Sequence, residues 1–188
     1  MHALSRRKVT AFLAAASLVP AFLISPGVAQ TPANPRVVRL GDSGLVATLP
    51  RGWRPTGPKP GYEKALGAFQ SEDSTSSVFV TVARALDQAD MSQVMDGVIA
   101  NFETAFVLRK VGEVKQGKLA DSAAVFTTLD ADLRSKTGSD TMPFRFYLAV
   151  IDTGDGLYLF QGSIQAPIKK EREEEILALL RSLAKATP

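Results

Sequence analysis

The 188-residue chain has no cysteine and a single histidine, His2. Without cysteine there is no disulfide, no thiolate nucleophile and no sulfur ligand for a metal. With imidazole confined to the second position, a serine nucleophile further along has no histidine base. An excess of one charge is also missing. Three of the 22 lysines and arginines lie in the first 29 residues, so residues 30–188 carry 19 basic and 19 acidic side chains. The basic isoelectric point, near 9.3, therefore reflects the N-terminal segment. A balanced surface gives no argument for nucleic acid or anionic lipid as the partner. The longest charged run, Lys169 to Glu175, mixes both signs and forms no tail.

What is present begins with export. Arg6, Arg7 and Lys8 precede the charge-free run Ala11 to Ile24, and Gly27-Val28-Ala29 supplies small residues before Gln30. This is the layout of a secretory signal peptide, 1–29, cleaved before Gln30. The alternative is an uncleaved anchor. Pro20 and Pro26 interrupt the run, and its dense apolar part falls short of the roughly 20 residues that a spanning helix needs. Ser5 to Val9 also resembles a twin-arginine signal, although Thr10 stands where that pattern prefers an apolar residue, so the export route stays open. Cleavage predicts a mature chain 30–188 in the periplasm or secreted, with no stable membrane anchor. That length fits one domain whose core folds by packing alone.

Patterning places the elements. Val37–Leu40 and Leu45–Leu49 read as strands around the turn Gly41-Asp42-Ser43-Gly44. Pro55 to Gly61 cannot be helix or central strand. Gly67–Gln70 is predicted as a strand, and Val78, Val80 and Val82 alternate through a further one. Asp90 caps a helix carrying Met91, Val94, Met95, Val98, Phe102 and Phe106 as an apolar stripe, with Gln93 in capping-box position. Gly97 either weakens this helix or permits close packing on a sheet. Lys110–Lys115, Ala123–Leu133, Pro143–Asp152 and Leu157–Gln165 are strand-like, and Thr153-Gly154-Asp155-Gly156 is a hairpin turn. Pro167 suits the first turn of a last helix with Ile168, Arg172, Ile176, Leu179, Leu180 and Leu183 on one face. Pairs four apart, Lys169 with Glu173 and Lys170 with Glu174, favour it. Consecutive hairpins and two one-sided helices predict an α+β fold: a three-layer α/β/α sandwich with a mainly antiparallel sheet and two principal helices.

The order of these elements carries a resemblance. Leu49-Pro50-Arg51-Gly52-Trp53 ends a strand. A Val-rich strand and a helix follow, then Gly117-Lys118-Leu119-Ala120 leads into a meander, and a helix with Ile176, Leu179, Leu180 and Ser182 closes the chain. This resembles the PsbP-like and DcrB-like α/β/α sandwich superfamily, over nearly all of the mature chain. Its members include extrinsic photosystem subunits, nuclear-import accessory factors and exported bacterial proteins. The resemblance implies a domain that binds rather than catalyses, with no catalytic residue and no cofactor to carry over. The chain lacks the lipoprotein cysteine of many bacterial relatives.

Other chemistry is weaker. Gly112 to Lys118 has the spacing of a P-loop, but Leu119 replaces the required Ser or Thr and no helix follows. Asp152-Thr153-Gly154 resembles half of an aspartic protease site, yet it is explained by the hairpin turn. Asp130 and Asp132 share one strand face and could hold a hard cation. Lys136-Thr137-Gly138 matches a penicillin-binding motif whose serine partner, Ser182, is out of order.

The expected function is an exported, non-enzymatic binding or accessory domain acting on a protein or envelope component, its oligomeric state open. The candidate contact region is the Trp53 to Tyr62 loop, with Trp53, Arg54, Lys59 and Tyr62. The competing reading of Trp53 is a plug at one edge of the core. Two alternatives remain: a carboxylate-dependent enzyme or divalent-cation-binding protein using Asp130 and Asp132 or Asp152 and Asp155, and a carrier of small apolar ligands between sheet and helix.

Overall fold

The computed structural model describes residues 35–57, 59, 62–83, 90–119, 121–133 and 141–186. The signal peptide, the twin-arginine pattern and Lys136-Thr137-Gly138 lie outside them. The described chain runs β1 (Arg36–Leu40), β2 (Leu45–Leu49), β3 (Trp53–Pro55), β4 (Gly67–Ser71), β5 (Ser76–Ala83), α1 (Met91–Ala105), β6 (Phe106–Val111) and β7 (Lys115–Leu119). It continues with β8 (Ser122–Leu133), β9 (Met142–Asp152), β10 (Leu157–Gln165), α2 (Lys170–Arg181) and β11 (Ala184–Lys185).

Two sheets form. The larger is ordered β3-β4-β5-β10-β9-β8-β6, with β7 also paired to β8, and the smaller β1-β2-β11. Every pairing is antiparallel. The predicted meander is β8-β9-β10, because the Thr153–Gly156 hairpin sets Leu157 opposite Asp152. Asp152 Oδ1 accepts the Gly154 N–H at 2.8 Å, so this aspartate serves the turn.

The Leu49-Pro50-Arg51-Gly52-Trp53 motif is the switch between the sheets. The Trp53 N–H donates to the Pro50 carbonyl at 3.2 Å, and Gly52 has φ +79°. A turn with φ > 0 at its third residue requires glycine there. It hands the chain from β2 to β3, a three-residue edge strand that the sequence reading missed. Pro55 is tolerated in it because an edge strand can forgo one donor.

Each helix covers one face of the large sheet. α1 packs Met95 and Phe102 on Val125, Leu129, Phe146 and Val150. Its cap is Asp90, whose carboxylate accepts from Ser92 N–H at 3.0 Å rather than from Gln93. On the opposite face Ile176, Leu179 and Leu180 of α2 join Val78, Val80 and Phe160. Gly162 permits this approach: a Cβ there would stand 2.6 Å from Ile176 Cγ2. The α+β class, the two principal helices and the mainly antiparallel sheet are as expected. The α2 layer, however, is shared. Leu40, Leu45 and Leu49 of the small sheet belong to the same core, and Ser182 Oγ accepts Thr48 N–H at 2.8 Å.

Four local expectations are corrected. Phe106 opens β6 instead of closing α1; its ring still stands 4.9 Å from that of Phe146, so the helical spacing was a packing signal that outlasted the helix. Lys110–Lys115 is not a strand. β8 is long enough for β6 and β7 to pair with it in succession, and the chain bends between them at Gly112, whose N–H donates to the Thr128 carbonyl at 2.8 Å. Pro167 precedes α2, which is capped at Lys169. Gly97 does not serve close packing among the described residues, where a Cβ at this position meets nothing within 4 Å. Among the described residues no helix is long and apolar enough to cross a membrane.

Candidate functional site

The flanks of α2 decide the site. Residues four apart on a helix share a flank. Glu173, Leu177 and Arg181 therefore line one side of α2, while Arg172 and Glu175 occupy another. That second flank is pinned. Trp53 Nε1 donates to Glu175 Oε2 at 2.8 Å. Arg172 bridges the same carboxylate at 2.5 Å and Asp73 at 3.2 Å. Burial pushes the Asp73 carboxyl up, but bonds from Ser71 and Thr75 and the Arg172 charge outweigh it and hold the group below the usual carboxylate range. Arg172, placed by spacing on the apolar stripe, is thus an inward-facing clasp between α2 and the β4–β5 turn.

Leu177 and Arg181 of the first flank line a groove of about 550 Å³, and Glu173 lies beyond its lining. Its other wall is β7. Register pairs Lys115 with Phe126 and Leu119 with Ser122, and directly paired residues share a sheet face. Lys115 and Leu119 therefore stand on the α2 side, with Phe126 as floor. Phe126 and Leu177 are only partly buried. At the rim, Arg181 has no ion-pair partner among the described residues. Lys115 reaches Glu113 at 3.8 Å, with both side chains mostly exposed, a pairing of little strength.

Beyond Tyr147 and Thr128 the same face becomes charged, and these charges are paired. Asp130 takes a two-point bond from Arg145, at 2.7 and 3.2 Å; that bond, against some burial, holds its carboxyl low. Asp132 meets Arg109 at 3.2 Å. Tyr147 donates to Glu173 at 3.0 Å, and burial followed by this contact pushes its phenol up. Asp155 pairs with Lys185 at 2.7 Å. The two aspartate pairs proposed for cation or acid–base chemistry therefore do not converge: each carboxylate is occupied, by an arginine, a lysine or a turn.

The loop residues are placed separately. Trp53 is 3% exposed, with its indole N–H committed to Glu175, and it packs in the core beneath α2. Tyr62 stacks on Phe79 with ring centroids 3.9 Å apart and hydrogen-bonds to Gln161; burial raises its phenol. Lys59 lies 5.8 Å over the Phe79 ring, and Arg54 is exposed. Tyr62 also borders a hollow of about 440 Å³ beside β1, with Arg36 and Arg39. The groove residues Phe126, Leu177 and Arg181 were missed. Their available signal was Leu177, an apolar residue off the stripe of a charged helix.

No protein-family model and no curated sequence matches the chain. Solved structures do. The Saccharomyces cerevisiae Ran-binding protein Mog1p superposes with a TM-score of 0.52 at 12% identity, over 81% of this chain and 97% of that one. Cyanobacterial PsbP (CyanoP) from Synechocystis gives 0.50 at 15% identity, over 82% and 95%. LpqN of Mycobacterium tuberculosis, described as involved in cell envelope biogenesis, gives 0.51 at 11% identity, over 80% and 90%. Identities this low carry architecture alone, and that architecture is the PsbP-like fold, which this chain adopts.

Proposed function

We propose that residues 1–29 are a cleaved signal peptide and that 30–188 is a single exported domain, periplasmic or secreted. It works there as a non-enzymatic accessory protein that binds an envelope component in the groove between α2 and β7. We read the fold as a three-layer sandwich whose α2 layer includes the small sheet. The observation that carries the proposal is the groove itself, with an apolar floor and a rim where Lys115, Lys118 and Arg181 outnumber the single acid Glu113, beside aspartates that are already paired. Occupied carboxylates favour binding over acid–base chemistry, which needs a group free to exchange its proton. That Mog1p is a Ran-binding protein and that LpqN is involved in cell envelope biogenesis supports a binding or accessory reading of this architecture. In this reading Trp53 sets the position of α2, and Arg54, Lys59 and Tyr62 form a secondary contact, of which Tyr62 borders the 440 Å³ hollow.

The test is site-specific photo-crosslinking in living cells. Probes replace Lys115 and Leu177 in the groove, and Asn101 on the exposed side of α1 serves as control. The expected result is one shared adduct from both groove positions, none from Asn101, and protein outside the cytoplasm that begins at Gln30. Equal labelling at all three positions, or an exported chain still beginning at Met1, overturns the proposal.

A further inference from the structure

We infer that the groove takes a single-chain amphiphile with a carboxylate head, its chain on Phe126, Leu119 and Leu177 and its head at Arg181 and Lys115. The inference rests on the reading of this groove as the binding site, and names its ligand class.

Size is the first argument. At about 550 Å³ the groove lies inside the ~300–1,000 Å³ range of small-molecule sites. A stable protein partner would need roughly 1,200 Å² or more of buried surface, so it would have to extend well beyond these walls. The chemistry of the lining is the second. Phe126 and Leu177 each leave apolar surface uncovered, which an alkyl chain removes from water. Charge is the third. Arg181 is exposed and without an ion-pair partner among the described residues, and its planar guanidinium matches a carboxylate in two-point geometry. Lys115 is held only by its weak contact with Glu113. At the opposite end Glu173 is occupied by Tyr147, and nearby Asp130 by Arg145. With Arg145 committed to Asp130, it is not free for a ligand, whereas Arg181 is, and that difference sets the polarity of the ligand.

The experiment titrates the isolated full-length protein with palmitate, displacing a fluorescent palmitate analogue, with hexadecanol as the neutral ligand of matching chain. Variants are Arg181→Glu and Leu177→Glu, with Asn101→Glu on the exposed side of α1 as control; thermal melts check that each is folded. The expected result is saturable displacement by palmitate and weaker displacement by hexadecanol. Arg181→Glu weakens palmitate at least about tenfold, and Asn101→Glu leaves it unchanged. Arg181 is exposed, so this variant remains informative if Leu177→Glu fails to fold. No saturable binding to folded protein, or equal binding by Arg181→Glu, overturns the inference. If palmitate fails while the groove probes still capture an envelope component, only the ligand class falls; if both fail, the groove is not the binding site.

Discussion

Under α1 the large sheet presents rings. Phe102, Phe106, Phe144 and Phe146 form a connected set with centroids 4.8 to 6.5 Å apart, and Met95 fills the space beside them. Under α2 the sheet also carries rings, Phe69, Tyr147, Tyr158 and Phe160, among aliphatic side chains, and polar contacts stand around the helix: Trp53 and Arg172 on Glu175, Tyr147 on Glu173, Ser182 on Thr48. The first face is stabilised by packing with little demand on direction. The second is a helix held by directional bonds at its pinned flank and end. A helix fixed in that way can leave the flank towards β7 uncovered, and the groove lies there. The difference teaches that the buried tryptophan helps to decide where α2 lies.

The comparison can be broken first on the aromatic face. Phe146→Ala should destabilise by about 3–5 kcal/mol, the cost of emptying a large core site, measured by denaturant unfolding with the slope unchanged. A loss under about 1 kcal/mol would show that the α1 face does not depend on its rings.

On the α2 face the effects are smaller and depend on pH. Asp73→Asn weakens the clasp to Arg172 and should cost about 1 kcal/mol at neutral pH, kept modest because the carboxylate is partly exposed. A carboxyl held low in the folded state adds stability above its unfolded value near pH ~3.9, and that stability is lost as pH falls through the lower folded value. The unaltered protein should therefore lose thermal stability below about pH 4 more steeply than Asp73→Asn. Parallel acid limbs would remove the clasp from the account.

The smallest expected change is a gain. Gly97 meets no neighbour where a Cβ would go, so Gly97→Ala should stabilise α1 by up to about 1 kcal/mol. A loss in thermal melts would mean that the glycine has a packing role after all.

Much of the scaffold was legible because it rests on neighbours in sequence. Alternation through Val78–Val82, the Gly154-Asp155-Gly156 turn and the Asp90 cap are short-range physics, and the structure carries each as expected. Errors arose where one local pattern served two elements. Phe106 keeps helical spacing while lying in β6, and the stretch Lys110–Lys115 is strand-like in composition but spans the bend between two strands on β8.

The candidate site was barely legible. The Trp53 loop was chosen because loops commonly carry binding residues, whereas the groove is walled by a regular helix and strand. Leu177 hinted at it, but what Leu177 faces depends on β7, more than fifty residues earlier in the chain.

By itself the sequence determined most of the element types, the antiparallel meander, the one-sided helices and the absence of cysteine and histidine from residues 30–188. All of these follow from composition, periodicity and turn chemistry. Tertiary structure alone decided that Trp53 meets Glu175 across 122 residues, that Arg145 occupies Asp130, and that Arg181 is left beside an apolar groove. Such pairings depend on how the strands are ordered and how α2 is rotated on the sheet. Those are set by the whole core packing at once, and no stretch of neighbouring residues encodes them.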